Sequence, residues 1–166
     1  MKKLLVILVL FSFSIKAQDI VYVDSRYILE NIPEFNTAQD ELNNLSQEWE
    51  EEINIMKEEV ERLYRNYQAS QYLLPEAKKK KEEEKIIKKE QDIKTLTKQR
   101  FGPEGELYQK QEQLIRPIMD LIYSAINKFA DEGKYDIIFD KSSDLIMLFS
   151  NPELDKSDEI LEKLGY

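Results

Sequence analysis

The feature that most limits this chain is a helical repeat. Ala38, Leu42, Leu45, Trp49, Ile53, Met56, Val60, Leu63 and Tyr67 follow one another at steps of 4, 3, 4, 4, 3, 4, 3 and 4. Steps of three and four bring apolar side chains to one stripe of a helix, and their sum of seven is the coiled-coil repeat. The extra four-residue step at Trp49 is a stutter, which locally unwinds a supercoil without ending the helix. The spacing predicts one long helix from Thr37 onward. It ends near Tyr72-Leu73-Leu74-Pro75, where the proline forces the residue before it out of helical geometry. From Ala38 to Leu73 such a helix measures about 50 Å at 1.5 Å per residue.

Pro75 is tolerated in a first helical turn, so a second long helix is expected from there. It carries Lys78, Lys79, Lys80 and Lys81, three glutamates, Lys85, and then the sparser apolar residues Ile86, Ile93 and Leu96. Phe101-Gly102-Pro103-Glu104-Gly105 interrupts it. Beyond, Leu107, Leu114, Ile118, Leu121, Ala125 and Phe129 restore a stripe widened by Ile122 and Ile126. Pro117 should kink this segment and Gly133 should cap it.

The two helices differ in charge. Residues 34–72 hold ten acids and three bases, whereas residues 75–100 hold six acids and ten bases. Folding back at Leu73-Leu74 would set Glu59 near Lys88 and Lys89, and Glu58 near Lys89. It would also set Glu50 near Lys98, Glu48 near Arg100 and Arg65 near Glu83. The pairing follows from the turn position alone and supports an antiparallel hairpin. Each exposed pair contributes about 0–1 kcal/mol, so charge here selects register more than it adds stability.

The ends of the chain read differently. Met1-Lys2-Lys3, the apolar run 4–13 and Ser14-Ile15-Lys16-Ala17 have the order of a secretory signal peptide cut after Ala17. Loss of Lys2, Lys3 and Lys16 takes the formal charge from −9 to −12. Ile20-Val21-Tyr22-Val23 is β-branched and aromatic and reads as a strand. Asp24 or Ser25 can cap a short helix, Arg26 to Asn31, limited by Pro33. Strands are expected at Tyr135 to Asp140 and Leu145 to Phe149, both covered on two faces, and a terminal helix at Ser157 to Leu164 with Ser157 as its cap. Three strands make a poor independent sheet, which favours assembly with other copies.

Composition excludes several chemistries. There is no His and no Cys, which removes imidazole acid/base catalysis, thiol chemistry, disulfides and the usual zinc sites. An acidic chain makes a poor partner for nucleic acid. The four glycines build no phosphate-cradling loop, and the carboxylates lie on solvated helical faces, so no enzyme activity is expected.

The order of these pieces resembles the Skp/OmpH-like periplasmic chaperones over essentially the whole mature chain. The resemblance rests on Ile20-Val21-Tyr22-Val23-Asp24 with Tyr27-Ile28-Leu29, on the charged helical hairpin, and on Phe129-Ala130-Asp131-Glu132-Gly133-Lys134-Tyr135-Asp136. It implies an α+β, mostly α fold: a long antiparallel coiled-coil hairpin (residues 37–105) projecting from a small β-rich oligomerisation body (residues 18–36 and 106–166). It further implies a homotrimer in the periplasm, no cofactor or ATP, and a cavity between the arms that holds unfolded outer-membrane proteins. The family's best-known members are basic, whereas this mature chain is acidic, so mainly apolar capture, or clients of different charge, is expected.

Within that picture Tyr64, Tyr67, Tyr72, Leu73 and Leu74 are the candidate client-binding residues, since aromatic and leucine side chains bury much area each. Tyr67 also sits on the stripe that closes the hairpin. Lys78, Lys79, Lys80 and Lys81 form the one strong basic patch, which could touch lipopolysaccharide or anionic lipid or remain a solvated face. Gly102, Pro103 and Gly105 are the candidate hinge. The competing reading, from a different class, is an envelope structural or adaptor coiled coil that binds one folded partner.

Overall fold

In the computed structural model, residues 18–144 and 146–166 are described, so the expected signal peptide, residues 1–17, lies outside the described residues. The sheet has two strands, β1 (Ile20–Val23) and β2 (Ile137–Asp140). They run parallel, with Ile20 opposite Ile137 and Val23 opposite Asp140. Parallel neighbours need a long crossover. Here the crossover is the whole helical stretch between them, so the sheet forms only when the two ends of the chain meet.

The expected strand at Leu145 to Phe149 is not formed. Leu145 lies outside the described residues, and residues 146–149 are irregular. Ile146, Leu148 and Phe149 are 87%, 95% and 84% exposed, the reverse of the two covered faces that the apolar run suggested. The free side of β1 is taken instead by the segment before the last helix. Tyr22 bridges Asp155, and the Lys156 N–H donates to the Tyr22 carbonyl at 2.9 Å. An apolar run signals covering without naming what covers it.

Helix α1 (Ser25–Glu30) is capped by Asp24, whose side chain accepts from the Tyr27 N–H at 3.1 Å. Helix α2 (Pro33–Ser70) begins four residues before the expected Thr37. Helix α1 ends before Pro33 as expected, and Pro33 also starts α2: its fixed φ suits the first helical turn, where its missing N–H is not needed. A single 3₁₀ turn (Gln71–Leu73) leads to α3 (Glu76–Phe101), and α4 (Glu106–Gly133) follows the glycine-containing corner. Helix α4 continues through Pro117, which lacks the N–H that would reach the Gln113 carbonyl.

The end of α4 corrects the role expected of Gly133. The left-handed residue is Lys134, with φ 55°, and the Tyr135 N–H reaches back to the Ala130 carbonyl at 3.0 Å. This is the Schellman arrangement, completed by Tyr135 stacking on Phe129 at 5.2 Å. Gly133 is required for another reason: a Cβ there would collide with the Tyr135 ring folded over it.

Helix α5 (Ser157–Leu164) has the predicted bounds, but Ser157 does not cap it. Ser157 is its first helical residue and only 4% exposed, and Asp155 accepts from its N–H at 3.1 Å. The Ser157 hydroxyl also accepts from the Asp24 N–H at 2.8 Å, tying α5 to the end of β1.

The chain packs as two units, one of the described residues up to Ile32 together with Asp120–Tyr166, the other Pro33–Met119. The first has a true core: Ile28 and Ile160 are fully buried, and Ile122 and Val23 nearly so. Burying a side chain of that size is worth about 1.5–3 kcal/mol. Its crossing hydrogen bonds are long in sequence. Asp140 accepts from the Ser25 N–H at 3.1 Å and the Ser25 hydroxyl at 2.7 Å, and from the Ser142 N–H at 3.0 Å and hydroxyl at 2.8 Å. Burial alone would push the Asp140 carboxyl up, but these four donors together hold it below its ordinary value.

Candidate functional site

The hairpin of the second unit carries most of the residues singled out from the sequence. On α2 the covered positions are those of the repeat. Ala38, Leu42 and Ile53 are buried, and Leu45, Trp49, Met56, Val60, Leu63 and Tyr67 are half-buried, with mostly exposed residues between. Helix α3 packs along this stripe. Its covered residues are Lys79, Ile86, Lys89, Ile93, Leu96 and Arg100, again at coiled-coil steps, with Phe101 at its end. Three of these seven are cationic. The stems of Lys79 and Lys89 lie on the seam with their ammonium groups at its rim, as long basic side chains do at apolar boundaries, whereas the Arg100 guanidinium stays over Trp49.

Acids of α2 meet two of these charges. Lys89 Nζ lies 3.0 Å from Glu59, the pair anticipated from the turn position. Arg100 reaches Glu52 at 3.7 Å rather than Glu48. Both acids flank Trp49, and the guanidinium that lies over the Trp49 ring, 4.5 Å from its centroid, faces Glu52. Arg65 pairs with Glu61 on its own helix at 3.0 Å rather than with Glu83. Glu83 instead accepts a short hydrogen bond from the Tyr67 hydroxyl, which pushes the phenol up to about 12.

At the turn, Leu74 is extended with φ −88° and ψ 139°, as the residue before a proline must be. Leu74 is half-buried, whereas Tyr72 and Leu73 are each 88% exposed. Tyr64, further down α2, is half exposed. Of the five candidate contact residues, Tyr72 and Leu73 therefore offer open apolar surface at one place, and Tyr67 is engaged in the seam. The basic run follows in the first turns of α3. Lys78, Lys80 and Lys81 are exposed, and Lys79 is held by Glu76 at 2.7 Å.

Gly102, Pro103 and Gly105 form the corner between α3 and α4. Gly105 is buried, and a Cβ on it would lie 2.8–3.0 Å from the carbonyl oxygens of Gly102, Gln99 and Arg100. Glu104 between them adopts the left-handed region, φ 59°. Arg100 closes the corner through an ion pair with Glu106, the first residue of α4.

Two features escaped sequence reasoning. The exposed apolar segment of Ile146, Leu148 and Phe149 was read as a covered strand, and no local signal distinguishes the two. The engagement of Arg100 with Trp49 was not anticipated, although Arg100 lies opposite the stutter in the charge alignment. Among the described residues no group of His, Cys, Asp and Glu could hold a metal ion, and no helix is long and apolar enough to cross a membrane.

Comparison with known proteins places this geometry. The family model for OmpH-like outer membrane proteins matches residues 19–164. No curated protein matches. Among solved structures, a candidate outer membrane chaperone (OmpH-like) from Caulobacter crescentus superposes with a TM-score of 0.69 at 11% identity, over 90% of this chain and 85% of that one. At that identity the likeness speaks for the fold.

Proposed function

Because the chain belongs to the OmpH-like family of outer membrane proteins, we propose that it is an ATP-independent periplasmic holdase, a chaperone rather than an enzyme. In this reading it binds unfolded outer-membrane proteins in a cavity between the helical arms of a homotrimer and prevents their aggregation. Residues 37–105 are the arm, and residues 18–36 with 106–166 are the trimerisation body. The observation that carries the reading is the turn of the hairpin. Tyr72 and Leu73 stand 88% exposed at the end of two long helices whose outer faces are charged.

A holdase needs that combination. Apolar contacts compete with self-association of the client, while surrounding charge keeps the complex dissolved. The Caulobacter comparison agrees in kind, since that protein is described as a candidate outer membrane chaperone. The net charge of −9 for the whole chain disfavours attraction of acidic clients, so capture is assigned to Tyr72, Leu73 and the neighbouring Tyr64 rather than to Lys78–Lys81. The exposed Ile146, Leu148 and Phe149, with the half-covered Ile137 and Phe139 of β2, are the surface assigned to contact between copies. Large apolar segments of this kind are otherwise unfavourable in water.

The test is dilution of a urea-unfolded outer-membrane barrel into buffer with residues 18–166, followed by light scattering at two salt concentrations. Suppression that saturates at one trimer per client, with weak salt dependence, is expected. Replacing Tyr72 and Leu73 by Ser should weaken suppression without loss of helicity. Undiminished scattering at a large excess of folded protein would favour an adaptor that binds one folded partner.

A further inference from the structure

Three elements of the second unit converge on one side chain. The Arg100 guanidinium, near the end of α3, lies over Trp49 of α2 and pairs with Glu52 of the same helix. Its other branch pairs with Glu106, which opens α4. The second oxygen of Glu106 accepts from Gln99 at 2.6 Å, so both carboxylate oxygens are engaged by α3. Phe101 meets Trp49 edge-on, with ring centroids 6.1 Å apart.

We infer that Arg100 is a latch on the α3–α4 corner: its bonds to Trp49, Glu52 and Glu106 fix the direction in which α4 leaves the hairpin, and its release lets the corner turn. The corner itself supplies little that would hold it. It is built of Gly102, Pro103, Glu104 and Gly105, with one backbone bond inside it, from the Gly105 N–H to the Gly102 carbonyl at 2.8 Å; Gly102 is otherwise bonded back to Lys98 of α3, and Gly105 and Glu104 accept from Gln109 of α4. The glycines permit close approach when the corner is closed without requiring closure.

The latch is also held against a cost. Arg100 Nε is buried without a hydrogen-bond partner, and a buried unpaired donor is unfavourable. The guanidinium side chain is 22% exposed and the Glu106 side chain 34%, so the pair is partly desolvated and only partly screened by salt. Remove one of its carboxylates and the balance tips toward an open corner in which Arg100 regains water. A lysine could not substitute, because it lacks the flat fork that stacks on Trp49 while bonding sideways to two acids. This inference stands apart from the chaperone reading, since it concerns geometry within residues 33–119 whatever the protein binds.

The chain has no Cys and one Trp, which makes the test direct. Residues 18–166 carrying Lys94→Cys on α3 and Gln113→Cys on α4, both exposed, are spin-labelled and their separation measured by electron paramagnetic resonance. Trp49 emission is recorded in the unlabelled chain. The latched corner should give one narrow distance distribution. Arg100→Met, which keeps the stem and loses the charge, should broaden it toward longer separations and change Trp49 emission. Glu106→Gln should broaden the distances while leaving the Trp49 signal closer to the parent, and high salt should move the parent slightly in the same direction. An unaltered distribution in a helical Arg100→Met chain overturns the latch and leaves the corner to Trp49–Phe101 packing. Should Arg100→Met lose helicity, Glu106→Gln decides, and unchanged distances there overturn the latch equally.

Discussion

The two units of this chain are held by different means. The hairpin is a repeat read twice, once along α2 and once along α3, with contacts between residues that a turn brings together. The other unit is closed by bonds between residues far apart in sequence. Ser25 donates to Asp140, Asp24 to Ser157, and the Tyr27 hydroxyl to Asp158 at 3.0 Å. The hairpin has a half-wet seam, in which three of the seven covered α3 positions are Lys or Arg, while the closed unit has side chains with no exposure at all. Stability in the first is therefore spread thinly along its length, and in the second it is concentrated in few residues.

The sharpest way to break this comparison is a pair of truncations. Ile160→Ala removes a fully buried side chain from a place where the surroundings cannot collapse, and should cost about 2–5 kcal/mol. Ile53→Ala, also buried, lies on a seam that water and neighbouring stems can refill, so its cost should sit at or below the low end of that range. Urea unfolding of the two variants decides; equal costs would mean that the seam is as rigid as the core. Asp140→Asn follows in size. It leaves four donors facing an acceptor without charge, one oxygen of which has become an amide donor, at about 1–3 kcal/mol. The sign with pH is fixed by the lowered carboxyl. The contribution is present above the ordinary Asp value of about 3.9 and is lost as pH falls through the lower folded one. The variant should therefore lack part of the acid limb of the parent's stability profile.

The same contrast explains what could be read in advance. The α2 stripe was legible residue by residue, because its information is local: every seam residue from Ala38 to Tyr67 is buried or half-buried, and most residues between them are exposed. Glu59 with Lys89 was legible too, since a turn position fixes an antiparallel register. The closed unit was not. That Ile20–Val23 and Ile137–Asp140 are strands showed in their composition, but nothing local says that they pair in parallel or that Asp155 takes the free side of β1. The short polar residues misled for the same reason. Ser157 looks like a cap from its neighbours, yet it is committed to Asp24, a partner 133 positions away. At the turn, the exposure of Tyr72 and Leu73 was foreshadowed by their falling outside the repeat. The demotion of Tyr67 to a seam residue follows from its lying on it.

A smaller effect tests whether charge selects register in the hairpin. Reversing Glu58 and Glu59 to Lys should lower the midpoint of thermal unfolding slightly, by the equivalent of about 0–1 kcal/mol per pair. Restoring opposite charge with Lys88 and Lys89 changed to Glu should recover it. Only Glu59 and Lys89 are in contact, at 3.0 Å, so a cycle on those two residues should capture most of the coupling. No recovery in the double reversal would mean that the apolar stripe alone sets the register, and the cationic seam of α3 would then be a matter of solubility.

The last test sits at the end of the hairpin and reads the seam by titration. Tyr67 donates to Glu83 across the two helices, and that bond is the first cause of its raised phenol; burial and the Glu83 charge add to it. A phenol whose folded pKa lies above its unfolded value binds its proton more tightly when folded. Its contribution is therefore complete below about 10 and disappears as pH rises toward about 12. Lysines titrate in the same window, so the parent alone is uninformative. The difference between the parent and Tyr67→Phe isolates the phenol, because both keep the lysines and the ring. Stability of the parent should fall more steeply than that of Tyr67→Phe between these limits, and the difference between their phenolate absorbances should show Tyr67 ionising late. Parallel curves would place Tyr67 free of Glu83 in solution. Tyr67 would then join Tyr72 and Leu73 as open surface, and the line between seam and contact residues would move one helical turn down the arm.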